Sequence, residues 1–473
     1  MKLQNLIPVT LFLTVFMVCA ASSSAANLDR SFGQNGTVVT KTGNPPYGAS
    51  LTDEFTGNVW AIAEDKQGRL LAVGGTGSDS LVVRYLSDGR LDPSFGDGGK
   101  AQFPAAALGG TNPEKWSNRI RAVSVLPGGK ILLAGEEARI DSSFARSPKQ
   151  YFMRLFPNGM RDLSFANFPN FLNGPPKQIV LPDPGGALYD MFVQRDGRFT
   201  ITGMYSQSFN GKNRNVAYVR RFMPEILGPP ENSIEFDPSF APRSEPFPHS
   251  TEIYPSRPPF WNAFRQIELL GSGKTLVAGN LRNRYFVGRL TRTGEWDRTF
   301  GINKTGKVVT EIPNSKGKAC FCAVGSGMAR DSKGRIYQTG WSFPDYKDAR
   351  TINLLRFRPN GLPDRSFGRA GKAKLTVNQF IRVRRMAVHP NGTIFVAAWL
   401  GYQSAQKFAV FAFRPDGRPL RSFFHKGRYI SPIGEISTAE DILIDRQGRL
   451  VVSGGTFKDG DASFVIKRFR VGQ

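Results

Sequence analysis

The side chains suited to acid, base or metal chemistry are few in this chain. Histidine occurs three times, at His249, His389 and His425, and no spacing among them suits a metal site. His389 precedes Pro390 and Asn391 at a turn, which makes it a turn residue. Gly325, Ser326 and Gly327 form part of a nucleophile-elbow pattern without the strand-to-helix context that the elbow needs. A Ser-His-Asp set assembled from distant positions stays open, because such members need not be adjacent in sequence. Cys320 and Cys322 flank Phe321 and would share one face of a strand. Two small buried thiols fit that placement, a redox or metal role is the alternative, and a bridge across one residue would be strained. These patterns assign no catalytic residue, no metal and no cofactor.

Cations and aromatic rings are far more abundant. The formal net charge is +25, and it is spread, with basic runs no longer than Arg382 to Arg385. Such a field attracts polyanions and bears on association rather than on fold. The segments that vary most are 41–57, 104–117, 137–149, 205–215, 255–262, 313–320 and 342–351. They hold or adjoin Tyr47, Trp116, Arg146, Arg214, Arg257, Trp261, Trp341, Tyr346 and Arg350. Aromatic planes interleaved with cations suit sugar rings and anionic groups. These nine are the binding candidates, for an anionic glycan, an envelope polymer or a protein partner ahead of nucleic acid. Ordinary solvated loops are the alternative.

A second charged pattern is periodic. Arg84 precedes Asp92 by eight residues, and the pairing recurs as Arg154 with Asp162, Arg221 with Asp237, Arg289 with Asp297, Arg356 with Asp364, and Arg468 with Asp29. One copy has Ala412 and Leu420 instead, so both partners are lost together. Joint loss points to a structural ion pair, since one charge left alone in a buried place is unfavourable. The rival is a calcium loop using Asp88, Asp92 and Asp97, which lacks the ordered carboxylates of an EF-hand loop.

The elements that position these residues come from a repeat. An Asp-x-Ser/Thr-Phe core places Phe32, Phe95, Phe165, Phe240, Phe300, Phe367 and Phe423 at intervals of 56 to 75 residues. A tight turn ends at Gly68, Gly129, Gly197, Gly273, Gly334, Gly392 and Gly448, followed by Arg or Lys in six copies. Between the markers lie short runs such as VWAIAED, RLLAVGG and SLVVRYL, which read as strands. Four short strands per repeat describe an all-β, seven-bladed β-propeller of antiparallel blades. The recurring Phe is expected to fill the space between blades, and the Ser or Thr before it to bond the turn backbone. The last repeat stops at FVIKRFRVGQ, where an Asp-x-Ser-Phe strand is due, and LDRSF at Leu28 to Phe32 supplies it. Residues 27–40 are therefore expected to complete the seventh blade and close the ring.

The recurring LDxSFGxxG, with the Gly turn and the Arg strand, resembles the delta-60 repeat family and more loosely NHL-type propeller blades. The resemblance covers nearly all of 27–473 and implies an exported bacterial propeller, with no established activity. Ala166 and Ala241 depart from it by replacing the Gly after Phe, as does the copy at 420–424. Residues 1–26 carry Lys2, an apolar stretch and small residues ending in Ala25 and Ala26, the pattern of a signal peptide too short to span a membrane. The expectation is a monomeric propeller over 27–473, periplasmic or secreted. Its leading role is non-catalytic binding through the variable loops. The alternative is a lyase or hydrolase working on an anionic carbohydrate in the central channel.

Overall fold

In a computed structural model of the chain, the described residues are 27–43, 57–76, 79–104, 116–139, 148–165, 179–180, 186–209, 212–223, 236–241, 250–253, 262–312, 323–342, 351–402, 405–431 and 433–472. They form a seven-bladed β-propeller of antiparallel sheets. Six sheets have four strands in chain order. In the seventh, Asp461–Arg470 pairs outward with Asn27–Leu28 and Thr37–Gly43, in a register that sets Asn27 opposite Arg470 and Thr37 opposite Lys467. The first strand of each blade packs on the first strands of both neighbours and lines the axis. These inner strands are Val59–Glu64, Trp116–Val125, Ala187–Val193, Ala263–Leu269, Ala323–Arg330, Ile381–Val388 and Ile436–Ile444.

Burial explains the strand composition. A middle strand is covered on both faces by adjacent blades, so Leu70–Gly75 and Ile394–Leu400 are buried at every residue and read as unbroken apolar runs. Outer strands face solvent on one side, and Lys372–Thr376 alternates exposed with half-buried residues. Each inner strand follows a variable loop and ends in a tight turn, so variable loops and repeated turns occupy opposite faces of the ring.

The repeated charges lie at the blade seams. Arg84 Nε lies 2.7 Å from Asp92 Oδ2, its Nη2 donates to Ser94 Oγ at 3.0 Å, and its Nη1 donates to the carbonyl of Pro157 in the next blade. The guanidinium also covers the Phe95 ring at 4.5 Å. Arg221, Arg289 and Arg356 reach across in the same way, to the carbonyls of Arg292, Pro359 and Pro415 at 2.7, 2.9 and 2.8 Å. The residue after the turn glycine joins the cluster, with Arg69 3.3 Å from Asp92 and Lys274 2.8 Å from Asp297. The Ser hydroxyl bonds mainly to the carboxylate, Ser94 Oγ donating to Asp92 Oδ1 at 2.7 Å, rather than to the turn backbone. Burial alone would raise Asp29, but the Ser31 hydroxyl and the Arg468 guanidinium outweigh it and hold the group at about 2. Phe95 is fully buried and packs against the next blade's turn, where a Cβ on Gly159, at φ +85, would sit 2.9 Å from the ring.

Candidate functional site

Every inner strand carries a β-bulge. The register shifts fall between Val59 and Ala61, Ile120 and Ala122, Leu188 and Asp190, Phe264 and Gln266, Gly325 and Gly327, Val383 and Arg385, and Ala439 and Asp441. A bulge leaves one residue unpaired and re-aims its side chain. The seven extra residues are Trp60, Arg121, Tyr189, Arg265, Ser326, Arg384 and Glu440, and all seven line one cavity of about 50 Å³ on the axis. Trp341, on the second strand of blade five opposite Val324, contributes as well.

The ring is built from stacked cations. The Trp60 ring faces Arg121 at 4.0 Å and Arg384 at 5.2 Å, and Arg265 lies over Tyr189 at 4.7 Å. Two of these cations have a carboxylate. Arg384 pairs with Glu440, while Arg121 lies 3.2 Å from Glu136, which also holds Arg119 at 2.8 Å. Glu136 accepts from the Leu188 N–H too, tying blade two to blade three. Among the described residues, the Arg265 side chain has a 3.5 Å contact from Nε to Asn280 Oδ1 besides its stacking.

One residue further toward the turn face, Arg385 crosses the axis. It donates to the carbonyls of Tyr189 at 2.9 Å and Arg265 at 3.2 Å, and lies 3.4 Å from Asp190 and 3.9 Å from Asp441. Asp190 accepts from the Ile267 N–H at 3.0 Å and Asp441 from the Ile62 N–H at 2.9 Å, each in the next blade. Burial pushes both carboxyls above the ordinary range, against the pull of Arg385 and those backbone donors. The bulge ring is thus the wall of a small chamber and Arg385 its floor.

Of the nine candidate binders, Trp341 lines this chamber, with 6% of its surface exposed. Trp116 opens the strand Trp116–Val125, and Arg214 lies in Lys212–Phe222 opposite Gln207. Tyr47, Arg146, Arg257, Trp261, Tyr346 and Arg350 lie outside the described residues, as do Cys320, Cys322 and His249. His389 sits in its turn, its Nε2 3.0 Å from the carbonyl of Gly448. Sequence reasoning missed the bulge residues other than Ser326, and Ser326 belongs to a sheet rather than to an elbow. A signal existed, because each bulge residue stands eight positions before its turn glycine, from Trp60 and Gly68 through Glu440 and Gly448.

The model of a domain of unknown function (DUF5122) beta-propeller matches residues 68–95 and 334–367, each running from the turn glycine to the recurrent Phe. No curated protein matches the chain in sequence. Among solved structures it is similar to a polysaccharide lyase, at 10% identity over 95% of this chain and 98% of that one, with a TM-score of 0.44. It is similar to the PQQ-bound aldose sugar dehydrogenase of Streptomyces coelicolor, at 12% identity over 75% and 98%, with a TM-score of 0.39. A hypothetical protein from Leishmania major gives 11% identity over 73% and 83%, with a TM-score of 0.28. These likenesses carry no activity to the chain. The matched repeats and the seven-bladed ring together support a propeller repeat family.

Proposed function

We propose that the chain is an exported, non-catalytic binding propeller that takes a negatively charged ligand, a glycan or an envelope polymer, at the loop side of its central channel. The observation that carries this reading is the bulge ring, which turns a position where the repeats differ toward a common axis and places three arginines there among aromatic rings. Function sits where repeats differ, because a feature present in every blade serves the blade. The net charge of +25 steers polyanions to the molecule before any specific contact forms. The leader pattern at 1–26 supports export.

The second reading, an enzyme acting on an anionic carbohydrate, is favoured by Tyr189 beside Arg265 and by the raised carboxyl of Asp190. Against it, Glu440, Asp190 and Asp441 are engaged by arginines, and His389 lies at a turn away from the chamber. A glycan and polyanion array, run at physiological salt and at roughly 0.5 M where exposed charges are screened, tests both. Salt-resistant retention of one polymer class without product is the expected result. Product release would install the enzyme reading, and retention that vanishes uniformly with salt would leave only a basic surface.

A further inference from the structure

Among the described residues, two side-chain atoms of the chamber that can donate, Trp60 Nε1 and Ser326 Oγ, are buried with no hydrogen-bond partner, while the buried Glu440 Oε2 beside them is held in its ion pair with Arg384. Their residues are 6% and 7% exposed, they come from blades one and five, and both line the same cavity. Buried polar groups in native proteins are almost always satisfied, so two orphans facing one small space ask for a shared partner. Arg265 lines it too and has no carboxylate partner among the described residues, whereas Arg121 and Arg384 face Glu136 and Glu440.

We infer that the bulge ring is a seat for a single oxyanion group, a carboxylate or a phosphate or sulfate, held by Trp60 Nε1, Ser326 Oγ and the Arg265 guanidinium. This rests on the reading of the propeller as an anion binder and names the group it grips. The donor chemistry selects the sign: an indole N–H and a guanidinium only donate, and a hydroxyl can donate. A charged acceptor makes the stronger bonds with such donors, and Arg265 supplies the charge to balance it. Size selects the class. A water site takes about 10 to 15 Å³ of such space, so a cavity of about 50 Å³ admits three to five water positions, enough for one oxyanion and too little for a sugar ring. An acidic polymer would therefore insert its charged group here and leave its ring among the loops. The Arg385 floor ends the pocket beneath that group.

The test uses the full mature chain, titrated with acetate, glucuronate, phosphate and sulfate at constant ionic strength and followed by calorimetry and tryptophan fluorescence. Saturable uptake of one anion is expected, glucuronate and acetate marking a carboxylate seat and phosphate or sulfate a tetrahedral one. Arg265→Gln should weaken it about tenfold or more and Ser326→Ala by a smaller factor, as for lost hydrogen bonds to a charged group. Trp60→Phe should weaken it and reduce the fluorescence response to what Trp341 supplies, while Arg418→Gln on the outer surface changes nothing. Urea midpoints matching the wild type show that each variant is folded. Absence of saturable uptake, or equal uptake by Arg265→Gln, overturns the seat and leaves a chamber that holds only water. Polymer retention measured in parallel separates the two readings. Polymer bound equally by wild type and Arg265→Gln removes the seat but keeps the binding propeller, whereas saturable small-anion uptake without polymer retention keeps the seat and removes the polymer.

Discussion

Lys467 is 3% exposed, its Nζ donating to Thr37 Oγ1 at 2.9 Å and lying 5.6 Å from the Tyr429 ring. Burial pushes its ammonium down to about 8. A folded pKa below the unfolded one means that the fold disfavours the charged form, and that the unfolded chain binds more protons between about pH 8 and 10. Stability should therefore rise with pH across that window, with the full penalty present below it. Lys467→Met should remove the rise and stabilise the protein at pH 7 by about 1 to 3 kcal/mol, read from urea midpoints at pH 7 and 9.5. Equal slopes in both proteins would show that another group titrates. The same scale explains what the sequence hid. Trp60, Arg121, Tyr189, Arg265, Ser326, Arg384 and Glu440 include three arginines but have no residue type common to all seven, so no single recurring letter marks the position. A bulge is defined by the partner strand, here Gly74 and Val73 opposite Val59 and Ala61, and that pairing is invisible in a linear chain.

At the scale of elements, the blade seam was legible because its parts recur together. The Asp, the Arg and the basic residue after the turn glycine form one cluster, and blade six replaces all three, with Leu420, Ala412 and Thr393. In their place Ala412 and Leu420 pack with Phe423 and Phe469, an apolar seam in the same fold. Buried ion pairs and well-packed apolar groups are near equivalents, whereas half a pair is not. Asp92→Leu alone should thus cost about 3 to 5 kcal/mol, because it strands Arg84, itself 3% exposed. The triple change Arg69→Thr, Arg84→Ala and Asp92→Leu, which copies blade six, should recover part of that loss in urea unfolding. A triple variant less stable than the single one would mean that the seam in blade one depends on its charges. The strands and their count were equally readable, since runs such as RLLAVGG are buried on both faces and stay apolar throughout.

Across the whole molecule, closure depends on bonds that join blades distant in sequence. Around the rim, Asn27–Leu28 and Thr37–Gly43 complete the seventh sheet, and Asp29 lies 2.8 Å from Arg468. At the axis, Arg385 of blade six touches Asp190 and the Tyr189 carbonyl in blade three, the Arg265 carbonyl in blade four and Asp441 in blade seven. Ring geometry makes this a long-range tie, because it opposes any opening that parts those blades. Its removal has a definite pH signature. Asp190 and Asp441 are already raised by burial and repel one another, so loss of Arg385 raises them further. A carboxyl whose folded pKa exceeds its unfolded value favours folding at low pH, and that contribution is lost as pH rises through the folded pKa. Arg385→Gln should therefore be destabilised by about 3 to 5 kcal/mol at pH 7.5 and by clearly less at pH 5, where the carboxyls take up protons instead of remaining as unpaired charges. Urea unfolding at the two pH values, with the wild type as reference, measures the difference. A deficit independent of pH would mean that Arg385 acts through its carbonyl bonds alone, and the carboxylates at the axis would then belong to their backbone partners Ile267 and Ile62.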